Sequence, residues 1–356
     1  MKPVYLVGRA LACALGTTLA QALVSLRSAS APIASRYSLV GRDALPYQRI
    51  PDTGHSQGWN ARARALITQV AADAGAAQVR DGALFIAMSC QDGDTAEHIA
   101  LDVDFHALSQ RIGDWLDWRG PVYLVSSACT SSMQALLSAT ECLQAGTAQH
   151  ALVLGVELDN QLTLPGFAAL DLLSASDSKP FALQRDGMVL GEAVAALRLS
   201  TQQTAPWLLR GGANVVDGTQ PTSASAKAVM QMCQRALAAS GLSSTDVDLI
   251  KVQAAGSPGN DANEAEGLRA SFASMPALVS LKPLIGHCLG ASGAAEIALL
   301  LECLEQGYWP RYSHTADPAL GVQLATQAPL QLRRVLATIL GFGGSHAAVV
   351  LERSSP

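Results

Sequence analysis

The chain has 356 residues, a net charge of −5 and only 15% charged side chains against 49% hydrophobic ones. An acidic balance at low charge density excludes nucleic acid as a partner on electrostatic grounds. The seven cysteines, at 13, 90, 129, 142, 233, 288 and 303, show neither C-x-x-C nor metal spacing, which excludes a disulfide frame and a metal site and points to free thiols in a cytoplasm.

Residues 4–7 read as a first strand. Lys2 ahead of apolar residues has the look of a secretion signal, but Arg9 interrupts the run. No apolar run reaches membrane-spanning length, so a cytoplasmic protein with no membrane partner is expected. Helices over 18–26, 58–74 and 104–116 alternate with strands over 83–88 and 122–125. That alternation is the mark of layered α/β architecture.

The strand over 122–125 feeds Ser126-Ser127-Ala128-Cys129-Thr130-Ser131-Ser132, and a helix over 133–145 follows at once. This places a thiol on a sharp strand-to-helix turn, where free N–H groups and the helix dipole favour a thiolate. The small residues give a thioester carbonyl access to the sulfur, and the Cys129 N–H can face the developing oxyanion. A free cysteine alone is more often buried and structural, so the company Cys129 keeps decides its reading.

Strands over 151–156 and 188–199 close the first half, and the polar bridge 201–206 leads to a second. There, strands over 207–214, 249–252, 278–281, 336–340 and 347–351 surround helices over 224–239, 261–273 and 291–306. Glu141-Cys142-Leu143-Gln144-Ala145-Gly146 ends one helix and Glu302-Cys303-Leu304-Glu305-Gln306-Gly307 ends another. The echo predicts two pseudo-symmetric halves, 1–200 with Cys129 and 201–356 with the remaining site residues, whose helix starts face a common site.

Two more clusters carry chemistry. In Lys282-Pro283-Leu284-Ile285-Gly286-His287, the histidine stands in a Gly-rich turn before an Ala-rich helix, where a neutral imidazole can donate from Nε2 to a thioester oxygen. In Gly341-Phe342-Gly343-Gly344, the glycines let the backbone approach a ligand and offer the Phe342 N–H as a second oxyanion donor.

Together these clusters resemble the β-ketoacyl-acyl-carrier-protein synthases of the thiolase-like superfamily. The segment Phe181-Ala182-Leu183-Gln184-Arg185-Asp186-Gly187-Met188-Val189-Leu190-Gly191-Glu192 adds a fourth motif in the family's order. The resemblance implies a five-layer αβαβα fold, an obligate dimer, and acyl chains delivered on the phosphopantetheine arm of acyl carrier protein, with no cofactor bound by the chain itself. It implies that Cys129 is the acylated nucleophile and His287 the second catalytic histidine. Lys282 and Glu296 would be the charged groups behind it, and Phe342 with Gly343 the gate and oxyanion turn.

One departure changes the expected function. The family's first histidine precedes an acidic helix start; here the segment is Lys251-Val252-Gln253-Ala254-Ala255-Gly256-Ser257-Pro258-Gly259-Asn260-Asp261. Aligned from Val252, Ala255 takes the histidine position; aligned back from Asp261, Gln253 does. His346 also replaces an expected Asn after the glycine turn. Removing one preorganised oxyanion donor typically costs on the order of 10²–10³ in rate. The chain therefore most resembles the chain-length-factor-like subunits of type II polyketide synthases, the short ones of aryl polyene pathways above all, which pair with a complete ketosynthase. Those of aromatic polyketide pathways have replaced the nucleophile, whereas this chain keeps Cys129. Two other readings stay open: a working condensing enzyme, and acyl transfer or hydrolysis by Cys129 and His287.

Overall fold

A computed structural model of the chain describes residues 2–28, 35–39, 42–52, 58–89, 104–160 and 162–354. Cys90 lies outside the described residues. The first half runs β1 (Val4–Cys13), α1 (Leu19–Arg27), β2 (Ser35–Leu39), β3 (Arg42–Gln48), α2 (Gly58–Asp73), β4 (Ala83–Ala87), α3 (Phe105–Trp115), β5 (Val122–Val125), α4 (Ser131–Ala145), β6 (His150–Glu157), α5 (Thr163–Ala169), β7 (Leu190–Gly191) and β8 (Ala193–Ser200). After it come β9 (Trp207–Val216), α6 (Ala226–Ala239), β10 (Leu249–Lys251), α7 (Pro258–Ser271), β11 (Ala277–Val279), α8 (Lys282–Ile285), α9 (Ser292–Glu305), β12 (Arg334–Leu340) and β13 (Ser345–Arg353).

The large sheet has the order β11-β10-β12-β13-β9-β1-β8-β6-β4-β5. It divides into two runs of five with one shared plan. In each run the first strand pairs antiparallel with the fifth and the fifth antiparallel with the fourth. The fourth pairs parallel with the second, and the second parallel with the third. The runs meet only where Val4 and Tyr5 pair with Leu209 and Leu208.

Helices α4 and α9 pack on each other and on strands of both runs, while α2 and α3 cover the outside of one and α6 and α7 lie outside the other. This is the αβαβα layering that the resemblance implies. Helix α9 explains itself chemically: apart from Ser292 and Glu296 its fully buried positions carry no polar side chain, and only Glu302, Leu304 and Glu305 escape full burial. Gly293, facing Met133, lets α9 approach α4, and the Ala294 N–H donates to Ser132 Oγ at 3.1 Å.

The structure differs from the sequence-based expectation in five places. Strand β1 runs on past Arg9, because that guanidinium reaches across to Glu302 (2.7 Å) and Glu305 (2.5 Å) at the end of α9. The single strand expected over 188–199 is two, broken at Glu192, whose buried carboxylate takes the N–H groups of Ile50 and Asp159 and the guanidinium of Arg62. The hairpin β2–β3, which joins β7 in a small second sheet, and the short helices α5 and α8 were not expected.

Candidate active site

Cys129 lies between β5 and α4, one residue after Ala128, which holds the left-handed backbone angle φ of 52°. A non-glycine residue there is strained and must be held by its surroundings. Ser131 Oγ donates to Ala128 O at 2.6 Å and accepts the Ser127 N–H at 2.9 Å, and Thr130 Oγ1 donates to Ser127 O at 2.8 Å. The hydroxyls of this small-residue stretch thus fasten the turn as well as leave room around the sulfur.

The thiol is only 3% exposed. Burial pushes it up to about 11; the Phe342 N–H, the charge of Lys282 and the Cys129 N–H pull it back without overcoming that. The thiolate expected from the helix start is thus not the resting form: desolvation outweighs the dipole. The two N–H groups expected to form an oxyanion hole, those of Cys129 and Phe342, are among the groups that pull the thiol's pKa down.

His287 follows Gly286, whose φ of 73° turns the chain back toward β7. The His287 N–H donates to Val189 O at 2.7 Å and its carbonyl accepts from Gly191 N at 3.0 Å. Its Nε2 lies 3.1 Å from Cys129 Sγ and its Nδ1 3.0 Å from Ser292 Oγ. When the Ser292 hydroxyl donates to Nδ1, the ring proton sits on Nε2 and faces the sulfur. Burial, with the charges of Lys282 and Lys251 behind it, holds the ring's pKa well below that of a free histidine, so the imidazole is neutral.

Lys282 and Glu296, which the resemblance implies are the charged groups behind His287, pair through Glu296 Oε1, and Glu296 has a second cation that the sequence did not single out. Lys251 Nζ lies 2.7 Å from Glu296 Oε2 and donates to Thr338 O at 2.6 Å. All three charged side chains are fully buried. Burial lowers Lys251 to about 8, while burial alone would raise Glu296, whose two lysines instead hold it below its ordinary value. The signal for Lys251 was a lysine inside the apolar run Leu249-Ile250-Lys251-Val252.

Phe342 lines the cavity beside Cys129, its ring stacked on Phe167 with centroids 5.2 Å apart and planes at 11°. Gly343 continues the turn at φ 74° and donates to Pro221 O at 2.8 Å. His346 is buried in β13, and burial lowers its pKa against the opposing charge of Asp217.

Among the described residues lining the cavity beside Cys129, His287 is the only imidazole; Cys129, His287, Phe342, Gln253, Ala255 and Glu264 all line this one cavity of about 20 Å³. That is room for about one water. Two buried carboxyls pin the loop: Glu264 accepts the Gln253 N–H at 2.8 Å, and Asp261 accepts those of Ala255 (3.2 Å), Gly256 (3.1 Å) and Phe181 (2.9 Å). Burial raises Glu264 to about 7 and Asp261 to about 6.

The profile described as "Beta-ketoacyl synthase, N-terminal domain" matches residues 62–205, and "Beta-ketoacyl synthase, C-terminal domain" matches residues 209–316. The chain belongs to the β-ketoacyl synthase family. A relative from Talaromyces wortmannii, "Polyketide synthase-nonribosomal peptide synthetase TwmB", is 30% identical over 284 residues, which cover 70% of this chain and 10% of that protein. The "Spectinabilin polyketide synthase system protein NorC" of Streptomyces orinoci is 32% identical over 291 residues, 73% of this chain and 13% of that protein. The chain thus spans about a tenth of the length of these curated synthases. The structure of a ketosynthase (ApeO) in complex with its chain length factor (ApeC) from Xenorhabdus doucetiae matches with a TM-score of 0.85 at 22% identity, covering 99% of this chain and 98% of that one. At that identity the likeness establishes the thiolase-like ketosynthase fold. No helix among the described residues is long and apolar enough to cross a membrane.

Proposed function

We propose that this synthase-family chain is the chain-length-factor-like subunit of a two-chain ketosynthase, of the type II polyketide, aryl polyene-like kind. It would pair with a complete ketosynthase and shape the tunnel for acyl chains carried on the phosphopantetheine arm of acyl carrier protein. The observation that carries this reading is the single imidazole at the site: Cys129 touches His287 at 3.1 Å, and Ala255, not a second histidine, lines the same cavity. Decarboxylation of a malonyl thioester leaves an enolate, and an oxyanion of that kind needs preorganised donors from more than one side. Similar solved structures include ketosynthase and chain length factor pairs, which is consistent with it. The shared strand plan of the two five-stranded runs supports a division into related halves at about residue 200.

Cys129 retains what acyl transfer requires. Its sulfur attacks the thioester carbon, a new C–S bond forms as the old one breaks, and the thiol proton leaves with the pantetheine sulfur, with the Cys129 and Phe342 N–H groups holding the oxyanion. That retained machinery also favours a second reading, an active β-ketoacyl synthase condensing acyl and malonyl thioesters. Co-expression with a complete ketosynthase separates the two. A one-to-one complex, with little malonyl decarboxylation by the isolated chain and a gain in Ala255→His, is expected; robust elongation by the isolated chain overturns the first reading in favour of the second.

A further inference from the structure

Lys251 ends β10 and shares with Leu249 the face that packs toward α9, while Ile250 between them belongs to the core under α6. Its ammonium is held by Glu296 Oε2 at 2.7 Å and Thr338 O at 2.6 Å, two acceptors fixed by α9 and β12. Glu296 already has Lys282 on its other oxygen. Neutralising that carboxylate therefore needs no second ammonium, and an apolar side chain at 251 would spare the fold a desolvation cost.

The charges around the pair do not cancel it. Even lowered to about 8, Lys251 is mostly protonated at neutral pH. Glu264, the other carboxyl that acts on Lys251, is raised to about 7 and offsets it only in part. Glu157 acts on the thiols of Cys129 and Cys288 and is itself bonded to the N–H groups of Ser89 and Gly290. Both thiols and the His287 ring are uncharged. An excess of buried positive charge is costly at rest and favourable once an anion forms beside it. The anion that attack by Cys129 creates is the oxyanion of an acyl thioester. Both lysines also act on the imidazole, disfavouring its second proton, so that it remains a neutral donor 3.1 Å from Cys129 Sγ.

We infer that Lys251 is a positioning residue for His287: it fixes the far oxygen of Glu296 and adds a second positive charge behind the imidazole, which steadies the oxyanion in a cavity where Ala255 stands in place of a second histidine. Its effect on rate rests on the reading that Cys129 accepts acyl groups; its effect on the ring does not.

The test reads ring and sulfur separately in the full chain. Lys251→Met and Lys251→Gln remove the charge, and Lys251→Arg keeps it. Nitrogen-15 NMR follows the histidine rings as pH is lowered from 8, with His287 assigned by the loss of its signals in His287→Gln. Either neutral variant should bring the onset of His287 protonation up by about one pH unit, the shift a nearby unit charge produces. Cys129 acylation by the N-acetylcysteamine thioester of hexanoic acid, read by intact-protein mass spectrometry, should fall about tenfold in the same variants. Lys251→Arg should hold both readouts near wild type. An unmoved onset in the neutral variants overturns the inference, because a merely structural lysine would slow acylation without touching the ring. Acylation as slow in Lys251→Arg as in Lys251→Met also overturns it, since shape and not charge would then be at work. If wild-type Cys129 takes no acyl group, the acylation reading fails, and the ring titration alone decides the role of Lys251.

Discussion

His287 Nε2 lies 3.1 Å from Cys129 Sγ, and both groups are uncharged at neutral pH. Burial raises the thiol to about 11 and lowers the imidazole, so the pair rests as thiol and imidazole, not as thiolate and imidazolium. Only the thiolate is an effective nucleophile. Alkylation of Cys129 by iodoacetamide, followed on its own peptide by mass spectrometry, should therefore rise about tenfold per pH unit from neutrality towards its pKa. A rate already at its plateau at neutral pH would show a preformed ion pair and refute this account.

Access should limit the same reaction. The cavity at Cys129 holds about 20 Å³, and Phe342, stacked on Phe167, lines it, so on the reading of Phe342 as a gate the ring should slow entry of an alkylating reagent. Phe342→Ala keeps the backbone N–H and removes the ring. Alkylation should speed several-fold at every pH, with the midpoint of the pH profile unmoved. A shifted midpoint would instead mean that the ring sets the ionisation of the thiol.

What was legible in the sequence was local. The turn at Cys129, the Gly286-His287 turn, the GFGG stretch and apolar α9 each announce themselves within a dozen residues. Side chains whose meaning depends on partners from distant strands did not. Lys251 takes its role from Glu296 and Thr338, 45 and 87 residues away in the chain. The ionisation of Cys129 was misjudged for the same reason: the helix start is visible in the sequence, the depth of burial is not. The hairpin β2–β3 escaped because its polar strands and Pro46 carry no alternating apolar pattern.

The shared carboxylate of Glu296 gives an asymmetric prediction. Lys251→Met leaves Glu296 paired with Lys282 and loses the bond to Thr338 O, at a cost of about 1–3 kcal/mol. Glu296→Leu leaves two buried ammonium groups without a counter-charge, and breaking buried pairs costs about 3–5 kcal/mol. Urea denaturation should rank Glu296→Leu well below Lys251→Met in stability. Equal losses would show that Lys251 contributes as much as the carboxylate.

The last two glycines of the Gly341-Phe342-Gly343-Gly344 turn should also separate. Both have positive φ, 74° at Gly343 and 82° at Gly344. A Cβ on Gly343 meets nothing within 4 Å, whereas one on Gly344 would overlap the carbonyl of Asp217. Gly343→Ala should cost only the left-handed strain, about 1–2 kcal/mol. Gly344→Ala should displace the turn and with it the Phe342 N–H, so that Cys129 acylation falls far more than in Gly343→Ala. Equal acylation rates in the two variants would separate the turn from the chemistry.

Glu264 makes stability depend on pH in a direction opposite to a salt-bridged carboxylate. Its folded pKa, raised by burial to about 7, exceeds the ordinary 4.5. Between those values the folded chain holds a proton that the unfolded chain has lost, so stability falls as pH rises through the window, by up to about 1.4 kcal/mol per pH unit. Below the window the group favours folding fully, and above it the loss is complete. Glu264→Gln keeps an acceptor for the Gln253 N–H and removes the titration. The variant should therefore gain stability relative to wild type as pH rises from about 4.5 to about 7, then run parallel to it. Asp261 acts with the same sign but is present in both proteins and cancels in the difference. Parallel curves throughout would mean that Glu264 is already ionised in the folded chain.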